Sequence, residues 1–163
     1  MKLSEGVEWG LHCTTLLAVL PPGVALPASR LAEYHGVPEA YLAKHLQALS
    51  RAGVVESVPG PRGGYRLGRA PDELTVLDVV EAVDGEEPAF RCTEIRQRGP
   101  AAQAPSAYRR RCGIHSVMLR ADAAWRRELR LTTVGDIVRS LTGTLPGVAA
   151  EKAAGWLGRV LAR

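Results

Sequence analysis

Residues 28–51 read Ala28-Ser29-Arg30-Leu31-Ala32-Glu33-Tyr34-His35-Gly36-Val37-Pro38-Glu39-Ala40-Tyr41-Leu42-Ala43-Lys44-His45-Leu46-Gln47-Ala48-Leu49-Ser50-Arg51, and their punctuation decides the fold. A helical segment over about Ala28–His35 carries the small Ala32 four positions before Gly36, which lets a following helix cross closely. Gly36 makes the turn. Pro38 suits the first position of the next helix, where its missing N–H would have been unpaired anyway. That helix runs to Ala52, and Gly53 closes it. Leu42, Leu46 and Leu49 recur at helical spacing and set its core face, which leaves Glu39, Tyr41, Lys44, His45, Gln47 and Arg51 as an outward polar set.

Upstream, Ser4 is placed to cap a first helix running to about Leu20, where Pro21-Pro22-Gly23 stops it. Downstream, Val54–Val58 reads as a strand, Pro59–Gly64 as a tight connection and Tyr65-Arg66-Leu67 as a returning strand. The hairpin therefore has a basic tip. Leu74, Leu77, Val80 and Val83 give a fourth helix over Glu73–Val83, whereas residues 84–111 have no clear periodicity. A loop of that length in a compact chain is functional or disordered.

From Ile114 to Leu131 the helical pattern resumes, with Ile114, Val117, Met118, Ala121, Trp125 and Leu129 on one apolar face. That face either packs on its own domain or forms a dimer seam. Thr132 or Thr133 caps a further helix to about Leu141, and the remainder is a final amphipathic helix or a mobile tail. This divides the chain into a head (1–84), a loop (85–113), paired helices (114–142) and a C-terminal segment (143–163).

The order helix, helix, glycine turn, helix, hairpin is that of a winged helix-turn-helix: mainly α with a small β-hairpin, followed by a long C-terminal dimerisation helix. Double-stranded DNA is the expected partner. Glu39, Ala40 and Tyr41, near the start of the third helix, would meet base edges, and Lys44 and Arg51 would meet phosphates. Ser29 and His45 complete the helical candidates. Arg62, Gly63 and Tyr65 form the wing, whose glycine-rich tip can approach a narrow groove.

Composition agrees without deciding. The 163 residues carry 21 Lys plus Arg against 17 Asp plus Glu, a net charge of +4 that favours a polyanionic partner. Arg91, Arg96, Arg98, Arg109, Arg110 and Arg111 crowd the loop, as either a solvated or a functional patch. No apolar run reaches the roughly 18 to 20 residues of a membrane span, and Met1–Glu5 lacks a signal-peptide pattern, so a cytoplasmic protein is expected. Three cysteines, Cys13, Cys92 and Cys112, are an odd number for a disulfide framework and read as core thiols or ligands.

The stretches Leu31-Ala32-Glu33, Leu42-Ala43-Lys44-His45-Leu46-Gln47-Ala48-Leu49, Gly53-Val54-Val55, Pro61-Arg62-Gly63-Gly64-Tyr65-Arg66-Leu67 and Leu74–Gly85 resemble the bacterial IscR/NsrR/RsrR regulators over about residues 1–140. The resemblance implies a homodimer in which the long helix after the wing crosses the partner. It also implies an iron-sulfur cluster at the preceding loop. Cluster-bearing members supply three closely spaced loop cysteines; here Cys92 matches the first, Cys112 the last, and the middle one is absent.

The RsrR-type members complete a two-cysteine set with a glutamate and a histidine, which points to Glu8 and His12. These are four residues apart and so on one face of the first helix, where an intrahelical hydrogen bond is the plainer role. His115 matches the histidine of IscR-type sites and competes with His12, or simply caps its helix. Cys13 lies roughly 100° around the helix from His12 and reads as a buried thiol.

Two thiolates, an imidazole and a carboxylate suit a 2Fe-2S cluster, whose potential a histidine ligand raises; zinc is the inorganic alternative. The function expected is a redox-responsive transcription regulator, with repression as its mode and Trp9, beside Glu8, either transmitting the redox state or serving as a plain core or interface aromatic. The alternative is a clusterless or zinc-bound regulator of another signal. Cys112 and His115 as nucleophile and base lack an orienting third group, so no enzyme is expected.

Overall fold

A computed structural model of the chain describes residues 3–61, 63–144 and 146–162. Seven helices and one hairpin are described: α1 (Glu5–Ala18), α2 (Ala28–His35), α3 (Glu39–Arg51), β1 (Val55–Val58), β2 (Gly64–Leu67), α4 (Val76–Asp84), α5 (Gly113–Leu131), α6 (Val134–Thr144) and α7 (Gly147–Leu161). Short 3-10 turns at Pro71–Glu73, Ile95–Gln97 and Pro105–Tyr108 fill the connections.

Gly36 ends α2 in the left-handed conformation that the turn needs (φ 65°). Pro38 is the N-cap of α3 rather than its first helical residue, so that helix starts one position later than its sequence pattern predicts. Ser4 likewise precedes α1 without capping it. Its N–H (2.9 Å) and hydroxyl (2.5 Å) donate to the Asp84 carboxylate instead, which fastens the start of α1 to the end of α4. The fourth helix begins at Val76, not Glu73, because Thr75 and Asp78 exchange side-chain-to-backbone hydrogen bonds there (3.1 and 2.8 Å). Thr133 and Asp136 repeat that box ahead of α6 (3.0 and 2.9 Å), so Thr133 is the capping residue of the two expected. The two donors of Thr133 and the Arg139 guanidinium hold the Asp136 carboxyl down at about 2.

Leu42, Leu46 and Leu49 of α3 are wholly buried with Leu16, Leu17, Leu31 and Leu74, forming one core under α1–α4 and the hairpin. Cys13 lies in it, where burial pushes its thiol up to about 12. The hairpin is antiparallel with Val55 opposite Leu67 and Ser57 opposite Tyr65, and Arg66 pairs with Glu56 across it (2.9 Å). Tyr65 also exchanges backbone bonds with Leu26 (2.8 and 2.9 Å), so the segment before α2 adds a short third rung beside the wing.

The long helix divides its apolar face. Trp125 and Leu129 pack on Val7, Val76 and Val80 of the head, while Ile114 and Val117 remain 68% and 52% exposed. The N-terminal half of α5 thus presents an exposed apolar face. Val134, at the start of α6, returns to the head core. The last segment is helical: Trp156 of α7 stacks on Tyr34 of α2 (4.8 Å) and donates to Glu33 (3.2 Å). No helix among the described residues is long and apolar enough to cross a membrane.

Candidate DNA interface and ligand set

The outward face of α3 is as its spacing predicts for five of the residues singled out. Glu39, Ala40, Tyr41, Lys44 and Arg51 are exposed, Tyr41 by 66%, and Ser29 is exposed at the start of α2. Gln47 lies on the same face and is exposed too.

His45 does not belong to that face. Its ring is half-buried against α1, edge-on to Trp9 at 5.9 Å, and directly over Gly6, where a methyl group would come within 2.8 Å of three ring atoms. The sequence carries the signal: position 45 is three after Leu42 and four before Leu49, on the flank of the core stripe. Only the polarity of histidine suggests solvent.

At the wing, Gly63 is buried and Tyr65 is half-buried with its ring on the core. A Cβ at Gly63 would collide with the Val58 carbonyl, so glycine is required there by the closeness of the turn. These two residues shape the wing rather than face outward. Arg62 lies outside the described residues.

On α1, Glu8 and His12 are both exposed on one face, with Trp9 beside them half-buried. His12 lies 5.6 Å from the His35 ring and borders an apolar cavity of about 390 Å³ between α1, α2, α6 and α7. Burial, aided by the charge of His12, lowers His35 to about 4, so its imidazole is neutral at physiological pH.

Cys92 and Cys112 are half-buried, and the chain two residues before Cys92 reaches the first turn of α5. Cys112 is the N-cap of that helix. The chain before Cys92 climbs α5 toward the same end: the Glu86 carbonyl accepts from Arg126 (2.6 Å), the Ala89 N–H donates to Asp122 (3.5 Å), and the Phe90 ring meets His115 edge-on (6.2 Å). His115, in the first turn of α5, lies at the same end as Cys112, and among the described residues its one ring contact is this one with Phe90.

Within one chain the two donor pairs do not meet. Among the described residues no three His, Cys, Asp or Glu side chains converge as a metal site. The donor set fits a 2Fe-2S cluster in kind, two sulfurs for one iron and an imidazole with a carboxylate for the other, but only if a second copy brings its Glu8 and His12 to these cysteines.

The fold and the exposed reading face define a winged helix-turn-helix DNA-binding protein. The chain belongs to the Rrf2 family, described as iron-dependent transcriptional regulators, whose profile matches residues 3–140. It is 43% identical over 92 residues to the HTH-type transcriptional regulator IscR of Aliivibrio salmonicida (strain LFI1238), a match spanning 56% of this chain and 55% of that one. A protein of Aquifex aeolicus (strain VF5) is 38% identical over 81 residues, and the chain again spans only 56% of its length. Among solved structures, CymR, the global cysteine regulator of B. subtilis, superposes with a TM-score of 0.65 at 24% identity, covering 86% of this chain and 98% of CymR. T. potens IscR gives 0.66 at 22%, covering 90% and 93%. The chain is thus a DNA-binding transcription regulator, and its relatives are regulators rather than enzymes.

Proposed function

We propose that this regulator is a redox-responsive homodimer, a repressor of the RsrR type, in which Glu8 and His12 of one copy and Cys92 and Cys112 of the other hold a 2Fe-2S cluster. The observation that carries the reading is the division of the donors: an exposed pair on α1, a cysteine pair bounding the loop before α5, no convergence within one chain among the described residues, and an exposed apolar face on the N-terminal half of α5. A second copy laid on Ile114 and Val117 covers that face and completes the set.

Bound there, the cluster supplies a one-electron change of charge. The chain's part is to feel that change on α1 and pass it to α3. Trp9 follows Glu8 in sequence and its ring abuts His45 of the reading helix, so a rotamer change at Trp9 displaces a residue of α3. Two packed arrangements of one contact suffice for coupling of about 1 to 3 kcal/mol, which is roughly 5- to 150-fold in operator affinity.

The test is the visible spectrum of anaerobically purified protein, followed by operator binding before and after reduction with dithionite. Charge-transfer bands and a redox-dependent affinity support the proposal, with Trp9→Ala shrinking the affinity ratio while the bands persist. A colourless protein that holds zinc, or equal affinities in both states, overturns it.

A further inference from the structure

We infer that Arg96 is a positioning residue that, with Glu94 and Tyr108, folds the segment between Cys92 and Cys112 back on itself and so sets the approach of the two cysteines, and that it keeps a cation near Cys112. The inference rests on the ligand set proposed above, and concerns residues that no part of that set includes.

Nineteen residues separate the two cysteines, with no regular element longer than a 3-10 turn. An open loop of that length leaves its ends free of one another. Arg96, four residues past Cys92, closes it. Its guanidinium forks onto the Glu94 carboxylate (2.5 and 2.9 Å), reaches the Arg110 carbonyl two residues before Cys112 (3.3 Å), and lies over the Tyr108 ring at 5.1 Å. Tyr108 answers by donating its hydroxyl to the Arg96 carbonyl (2.7 Å) while accepting from the Gln103 N–H (2.8 Å).

One residue of each half of the loop therefore holds the other. Glu94 adopts φ 49°, a left-handed backbone, the one non-glycine residue described with positive φ. That conformation costs free energy in a glutamate, and the fork to Arg96 offsets it. The contact with the Arg110 carbonyl also holds the Arg96 guanidinium two residues from Cys112. A cation there favours a cluster that has gained an electron, because the added negative charge is partly neutralised.

The experiment compares wild type, Arg96→Gln, Arg96→Lys and Tyr108→Phe in the full chain, with two measurements. Hydrogen–deuterium exchange of peptides covering residues 94–108 is followed in cluster-free protein, and the reduction potential is read from the visible bands of anaerobically purified protein. Arg96→Gln is expected to speed exchange several-fold and to move the potential to more negative values. Arg96→Lys keeps the charge without the fork, so it restores the potential and leaves the exchange fast. Tyr108→Phe speeds exchange at Gln103 with the potential unmoved.

Wild-type exchange in Arg96→Gln overturns the clamp, and a potential that ignores the Gln and Lys variants alike overturns the charge role. Should wild type itself show no bands, the cluster reading fails, and the exchange measurement still decides the clamp by the same criterion.

Discussion

Gly6→Ala isolates the contact between the first helix and the reading helix. Two effects oppose each other at this position. Gly6 is in the first turn of α1, where alanine is favoured over glycine by no more than the roughly 1 kcal/mol of a helix interior, so on an open face the change would stabilise. Here the new methyl would come within 2.8 Å of three atoms of the His45 ring, where ordinary contact begins at 3.4 Å. The ring must retreat, and the edge of Trp9 at 5.9 Å limits where it can go. Overpacking of this kind costs about 1 to 3 kcal/mol, which outweighs the propensity gain. In His45→Ala the obstruction is gone, so the same Gly6→Ala change then stabilises by up to about 1 kcal/mol. Urea unfolding of the four proteins at one fixed concentration reads the coupling directly. A Gly6→Ala effect of the same sign and size in both backgrounds would refute the packing of α1 on α3 through this ring.

Lys44→Ala and Arg62→Ala should each weaken binding to all DNA sequences about equally and lower the salt slope by about one for every phosphate the removed side chain had neutralised; an unchanged slope removes that residue from the interface. Cys13 should resist iodoacetamide at pH 8 in the folded chain and react only on unfolding, as peptide mass spectrometry would show, because burial holds its thiol at about 12. The fold binds that proton more tightly than the unfolded chain does, so this contribution to stability is intact below pH 9 and is lost as pH rises toward 12. Leu46→Ala, at a wholly buried core position, should cost about 2 to 5 kcal/mol, seen as a lower urea midpoint at an unchanged slope.

The head of the molecule is legible in the sequence because each of its boundaries is marked by a residue with one physical meaning. Gly36 turns, Pro38 opens a helix, and three leucines at spacings of four and three face inward. What escapes the pattern is set by partners distant in sequence. Ser4 looks like a cap until Asp84 is brought beside it, and the rung between Leu26 and Tyr65 is too short to show any alternation. The apolar period overruns the start of α4 by three residues, although Thr75 and Asp78 have capping-box spacing, because Leu74 continues it past the true end.

The candidate ligand site is legible only in halves. Spacing puts Glu8 and His12 on one face, since four residues is one helical turn, but nothing periodic says where a nineteen-residue loop brings its ends. That is decided by Phe90 on His115, Ala89 on Asp122 and the Arg96 fork, contacts between side chains whose types alone carry no signal. The same consideration explains His45. A residue polar enough to be assigned to DNA is held against α1 because position 6 has no side chain. Both ring partners, Trp9 and His45, then form a direct contact between α1 and α3, with Trp9 also packed against the leucine core. A glycine at that one position lets the helix bearing Glu8 and His12 approach α3 closely enough for this ring contact, which is the packing that the proposed transmission through Trp9 requires.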